Sequence, residues 1–164
     1  MRFALEQHLP ATVAEVLAAL TDPAFIASLA GLEKLGEPQL LDQHVDSDRV
    51  VQRVRYRFTG SLSPAVTAVV DPARLVWVEE CTYDLGAATA SFRILPEHYA
   101  KRLRCAGRYR FEGDDGATTR FLEGDLSVSY PFVGRAVERA IVSGLESHIQ
   151  EEAGLLTDWL EGSR

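Results

Sequence analysis

The chain has 164 residues, with 17 basic and 24 acidic side chains, a formal net charge of −7, 46% apolar residues and 25% charged ones. These are the proportions of a single globular domain, large enough for a core that contains a cavity. The acidic balance argues against nucleic acid as a main partner, no stretch reaches the ~18 apolar residues of a membrane span, and two cysteines, Cys81 and Cys105, make no disulfide framework.

Met1 to Leu9 alternates Phe3, Leu5, Gln7 and Leu9 against Arg2, Ala4, Glu6 and His8, the pattern of a half-buried strand. Thr12 and Glu15 stand three apart and can cap each other's backbone N–H groups at a helix start; Val13, Val16, Leu17 and Leu20 give that helix its apolar face. Asp22-Pro23 begins a second short helix with Phe25, Ile26 and Leu29, and Gly31 closes it. From Glu37 the period becomes two. Strands are predicted at Pro38 to Val45 and Arg49 to Phe58, the latter with Val50, Gln52, Val54, Tyr56 and Phe58 on one face. Ser63 to Val70 holds a turn or two of helix. Strands follow at Leu75 to Tyr83, Ala88 to Leu95, Lys101 to Phe111 and Thr118 to Tyr130. Phe132 to Leu160 then forms one amphipathic helix of about 40 Å, at ~1.5 Å per residue, striped by Val133, Val137, Ile141, Leu145, Leu155, Leu156 and Trp159.

This order (strand, two short helices, about six antiparallel strands, long C-terminal helix) resembles the helix-grip fold of the START-like superfamily. That superfamily includes birch-pollen allergens, polyketide cyclases and lipid-transfer domains. The resemblance covers the whole chain and is carried by Pro10-Ala11-Thr12-Val13-Ala14-Glu15-Val16, Leu20-Thr21-Asp22-Pro23 and Tyr130-Pro131-Phe132-Val133-Gly134. Trp77-Val78-Glu79-Glu80 and Asp158-Trp159-Leu160 are similar to an uncharacterised bacterial branch of it. The resemblance implies an α+β single domain over 1–164: a curved sheet of about seven strands gripping the last helix around a cavity for a hydrophobic ligand. These residues mark a scaffold, not a chemical motif.

Two polar features face that expected cavity. On the last helix, with Val137 at zero, His148 falls at about 20°, Glu152 at about 60° and Gly144 at about −20°, inside the apolar stripe. Either His148 and Glu152 satisfy each other in a packed core, or they anchor a ligand where Gly144 leaves room. On the fourth strand, Glu79 and Glu80 point to opposite faces. Leu75, Trp77, Cys81 and Tyr83 make the odd set the inner one, so Glu79 is assigned inward, or else it reaches water at the sheet rim. Gln52 is an inward amide, either a hydrogen-bonded core group or part of the same cluster.

The expected function is non-enzymatic binding or transport of a small hydrophobic molecule (lipid, polyketide-like or isoprenoid). Its body would lie against Tyr56, Phe58, Trp77, Tyr109 and Leu145, and Gln52, Glu79, His148 or Glu152 would orient it. The alternative is a cyclase, dehydratase or hydrolase with Glu79 and His148 as acid and base, which requires both groups in one pocket. An interaction module is a third class, but nothing in the sequence nominates an exposed apolar patch. No cofactor and no metal are expected: His148 and Glu152 are two of the three or four ligands a metal needs, and no Cys/His cluster completes them. Cys81 and Cys105 are read as inert core thiols, and His8, His44 and His98 as surface groups. The arginines of the third and sixth predicted strands (Arg53, Arg55, Arg57 and Arg102, Arg104, Arg108, Arg110) form a solvated outer face neutralised by Glu80, Glu123 and Asp125. No stable membrane insertion is expected, and the location is expected to be cytoplasmic.

Overall fold

The structure is a computed structural model that describes residues 1–32 and 35–162. Its elements in chain order are β1 (Arg2–Leu9), α1 (Val13–Leu20), α2 (Pro23–Ser28), β2 (Leu35–Asp46), β3 (Arg49–Phe58), α3 (Pro64–Thr67), β4 (Val76–Asp84), β5 (Thr89–Pro96), β6 (Leu103–Asp114), β7 (Ala117–Val128) and α4 (Gly134–Gly162). Thr12 and Glu15 cap each other at the start of α1, with Thr12 N donating to the Glu15 carboxylate at 2.8 Å. Asp22 accepts from Ala24 N at 2.8 Å at the start of α2.

All seven strands join one antiparallel sheet in the order β1-β7-β6-β5-β4-β3-β2. The long chain excursion therefore returns to pair its last strand with its first, Phe3 opposite Gly124. Strand β2 starts earlier than its periodicity suggests. It is an edge strand with register shifts between Gly36 and Gln39 and between Leu40 and Asp42, which lets it carry Pro38. One face of the sheet is covered by α4, which rests on β1 and β7 and packs against α1 and α2. The core there includes Phe3, Leu9, Val16, Phe25, Leu122, Leu126, Ile149 and Leu156. Trp159 packs edge-on against Phe25, ring centres 5.6 Å apart.

The other face is charged, and Glu80 and Glu123 pair there as expected, whereas Asp125 makes no ion pair among the described residues. Glu80 takes Arg93 at 2.7 Å and Arg53 at 3.4 Å, and Glu123 takes Arg108 at 2.9 Å. Arg55 meets Glu97 at 2.5 Å. The β7–α4 joint differs from the expected one. The strand ends at Val128, the helix begins at Gly134, and Phe132 sits fully exposed with φ 64° in the segment between them.

Two strand glycines make room for rings on the covered face: Phe92 lies over Gly107 and Phe3 over Gly124, where an added Cβ would overlap the ring. Gly124→Ala is expected to cost about 1–3 kcal/mol in urea unfolding. Adding Phe3→Leu should recover part of that loss; an unchanged midpoint for Gly124→Ala would contradict the packing described.

Candidate functional site

Because α4 leans toward the β1–β7 side, it leaves a hollow of about 140 Å³ against β3, β4 and β5 and the inner ends of β6 and β7. Its walls are mostly apolar: Tyr56, Phe58, Trp77 and Ile94 from the sheet, and Ala140, Ile141, Gly144 and Leu145 from α4. Tyr56 and Trp77 stack at 6.1 Å, and His148 stands edge-on to Tyr56 at 6.2 Å. No atom outside the helix backbone lies within 4 Å of a Cβ built on Gly144, so this glycine leaves space where other residues would intrude. Leu62, Leu75, Arg74, His98 and Tyr99 are also among the lining residues. A wider depression of about 690 Å³ lies on the outer face among Thr82, Ser91, Arg108 and Glu123. It opens to water over ion-paired side chains, and so gives a ligand little of the desolvation that makes a binding site.

Seven of the ten residues assigned to a ligand from the sequence line the smaller hollow: Tyr56, Phe58, Trp77, Glu79, Gly144, Leu145 and His148. Three do not. Gln52 is a buried core amide: its Nε2 donates to Leu20 O at 3.2 Å and its Oε1 accepts from Gln43 Nε2 at 3.1 Å. Tyr109 is packed between Phe92 and Phe111, with the Arg120 guanidinium over its ring at 5.7 Å. Glu152 turns away to Arg120 Nη1 at 2.6 Å. His98, expected at the surface, is half-buried in the lining, whereas His8 and His44 are exposed.

Arg120 organises the polar end of the site, and the sequence reading missed it. It lies on the covered face of β7, 3% exposed, where Nε donates to Gln7 Oε1 at 2.7 Å and Nη1 to Glu152. Gln7 in turn donates to Ile149 O at 2.6 Å, so β1, β7 and α4 meet at one guanidinium. Burial alone would pull the Arg120 pKa down, but Glu152 and Tyr109 outweigh it and keep the group charged. One turn before Glu152, His148 Nε2 lies 3.9 Å from its other oxygen, too far for a hydrogen bond, and His148 Nδ1 is buried without a partner. Burial lowers the His148 pKa, with Glu152 opposing only in part, so the imidazole is neutral at pH 7.

Glu79 is the other polar group of the hollow. Among the described residues nothing hydrogen-bonds its carboxyl, and its pKa is raised to about 7 by burial first and by Glu152 second, with Arg120 pulling the other way. Both thiols are inert: burial pushes Cys81 well up and Cys105 up to about 12. Among the described residues no group of three His, Cys, Asp or Glu side chains is placed to hold a metal ion, and no single helix is long and apolar enough to cross a membrane.

The model of a protein family described as protein of unknown function DUF2505 matches residues 4–160. The chain belongs to the DUF2505 family. No curated protein matches its sequence. Among solved structures it is similar to TTHA0849 from Thermus thermophilus, with TM-score 0.72, 15% identity and 99% of both chains covered. It is also similar to the Zhui aromatase/cyclase from Streptomyces sp. R1128, with TM-score 0.69, 13% identity and 98% and 93% covered. The norcoclaurine synthase from Thalictrum flavum gives TM-score 0.66, 10% identity and 98% and 86% covered. These DUF2505 residues thus adopt the START-like, helix-grip fold.

The buried charges make two outcomes measurable. The unfolded chain releases the Glu79 proton near its ordinary value, whereas the folded chain holds it to about pH 7. Stability therefore falls as pH rises between those values, and the full cost stands above them. Glu79→Gln should raise stability at pH 8 by up to about 3 kcal/mol and change it little at pH 4, by denaturant unfolding at both. Arg120→Met strands Glu152 and should cost about 3–5 kcal/mol, whereas Arg120→Met with Glu152→Leu should recover most of it. A loss no smaller in the double variant would show that the pair is not what the single change removes.

Proposed function

We propose that this DUF2505 protein binds a small, largely apolar molecule in the hollow between α4 and the sheet, with Glu79 and His148 beside the ligand's polar atoms. The observation that carries this reading is that Glu79, which has no hydrogen-bond partner among the described residues, opens into a mostly apolar space that Gly144 keeps clear. A carboxyl kept in such a place at the expense of stability is characteristic of a binding or reacting group rather than a packing one. Lipid, polyketide-like and isoprenoid compounds all have the required apolar body. A cavity of about 150 Å³ accepts a molecule the size of benzene, so the unexpanded hollow takes one ring or a short aliphatic segment.

A second reading is favoured by one observation: Glu79 and His148 line the same hollow, as an acid–base pair requires. A carboxyl with a pKa of about 7 can give or take a proton at neutral pH, and the neutral imidazole can accept one. Cyclisation, dehydration or hydrolysis would use such a pair. The aromatase/cyclase and the synthase named above are enzymes built on the same fold, which is an analogy of scaffold only.

Native mass spectrometry of gently purified protein, with solvent extraction of what accompanies it, tests the binding reading. Wild type is expected to carry a small-molecule adduct, and Gly144→Leu, which fills the hollow with a better helix former, is expected to remain folded and lose it. An adduct equally abundant in Gly144→Leu would place the ligand elsewhere.

A further inference from the structure

We infer that the molecule held in this hollow is an anion, an apolar body with one carboxylate-like group that rests on Arg74 and His98 at the mouth. This rests on the reading of the hollow as a binding site and adds the class of ligand. Arg74 is exposed, stands two residues before the start of β4 and lines the hollow. Its guanidinium lies 5.3 Å from the centre of the Tyr99 ring, and Nη2 is 3.5 Å from His98 Nδ1. Tyr99 is itself fixed, because its hydroxyl accepts from Asp71 N at 3.0 Å and its ring meets Tyr130 edge-on. The arginine is therefore held by stacking at a defined place.

Six strand arginines are matched with acids: Arg53 and Arg93 with Glu80, Arg55 with Glu97, Arg108 with Glu123, Arg110 with Glu112 and Arg120 with Glu152. Among the described residues no carboxylate lies within ion-pair distance of Arg74. Arg74 is distinguished by its place: it is the one arginine among the described residues that line the hollow, and it stands there with no acid in ion-pair reach.

The two ends of the hollow also differ in chemistry, with an acid at one and a guanidinium at the other. Glu79 lies at the inner end with Glu152 behind it, and Arg74 and His98 lie at the outer end. An anion entering head first meets a carboxyl; one whose head stays outside meets a guanidinium whose planar donors suit a carboxylate. The body then reaches inward past Trp77, and any hydrogen-bond donor at its far end meets Glu79.

Calorimetric titration at low salt with 3-phenylpropanoate, 3-phenylpropanamide and 3-phenylpropylamine tests this, since the three share a body and differ in charge. The acid is expected to bind about tenfold more tightly than the amide, a typical gain for a hydrogen bond to a charged partner. Arg74→Gln should bring the acid down to the affinity of the amide, whereas Arg135→Gln, the same charge change on the exposed first turn of α4, should leave the preference intact. Equal binding of acid and amide, tighter binding of the amine, or a preference that survives Arg74→Gln would overturn the anionic assignment while leaving the hollow as a binding site. If none of the three binds, the binding site itself is refuted and the assignment with it.

Discussion

A single helix has to cover the concave face of a seven-stranded sheet, and it is too narrow to do so. An α-helix with its side chains is about 10–12 Å across, whereas seven strands at about 4.8 Å span far more. The short helices cover part of the rest: α1 lies against β6 and β7, α2 packs on β2 at the far edge of the sheet, and α4 touches both helices as well as β1 and β7. The uncovered remainder, against β3, β4 and β5, is the hollow. Gly144 keeps α4 from filling it, and large rings from Tyr56 and Trp77 reduce it without closing it. The site is thus a consequence of architecture first and of particular side chains second.

The placement of α4 depends on one buried guanidinium. Arg120 joins the sheet to the helix through Glu152, and to β1 through Gln7. A buried ion pair is a poor source of net stability, so its presence is better explained by what it positions. By engaging Glu152 it leaves His148 without a hydrogen-bonded partner one turn earlier, and it only partly offsets the repulsion and burial that raise the Glu79 pKa. One charge pair therefore joins helix to sheet beside both groups, while burial is the first cause of the neutral imidazole and of the raised carboxyl pKa.

Most of the scaffold was legible because periods of 2 and 3.6 separate cleanly along this chain, and the capping residues at Thr12 and Asp22 mark where one gives way to the other. The inward direction of Glu79 followed from the odd set Trp77, Cys81 and Tyr83, and the burial of His148 from its angle on α4. Arg120 was legible in principle: it shares the parity of Leu122 and Leu126 on β7, but a charged residue on a core face is easily passed over. Facing inward did not make Gln52 or Tyr109 part of the hollow, because periodicity fixes a face and not a neighbour. Gln52 is taken by the Leu20 carbonyl and Tyr109 by two phenylalanines. The mouth was illegible, since Arg74, His98 and Tyr99 lie between regular elements, where no period applies. The bulges of β2 and the left-handed backbone at Phe132 are local irregularities of the same kind.

The account stands on the hollow being empty of protein atoms, and a crystal structure of the free protein determined under xenon pressure measures that directly. Apolar cavities of this size admit the gas, so xenon should appear between Trp77, Ile94 and Leu145, with Glu79 and His148 at the edge of the same space. A xenon-free structure in which Tyr56, Trp77 and Leu145 close on one another, with the Glu79 carboxyl turned out to water, would contradict it.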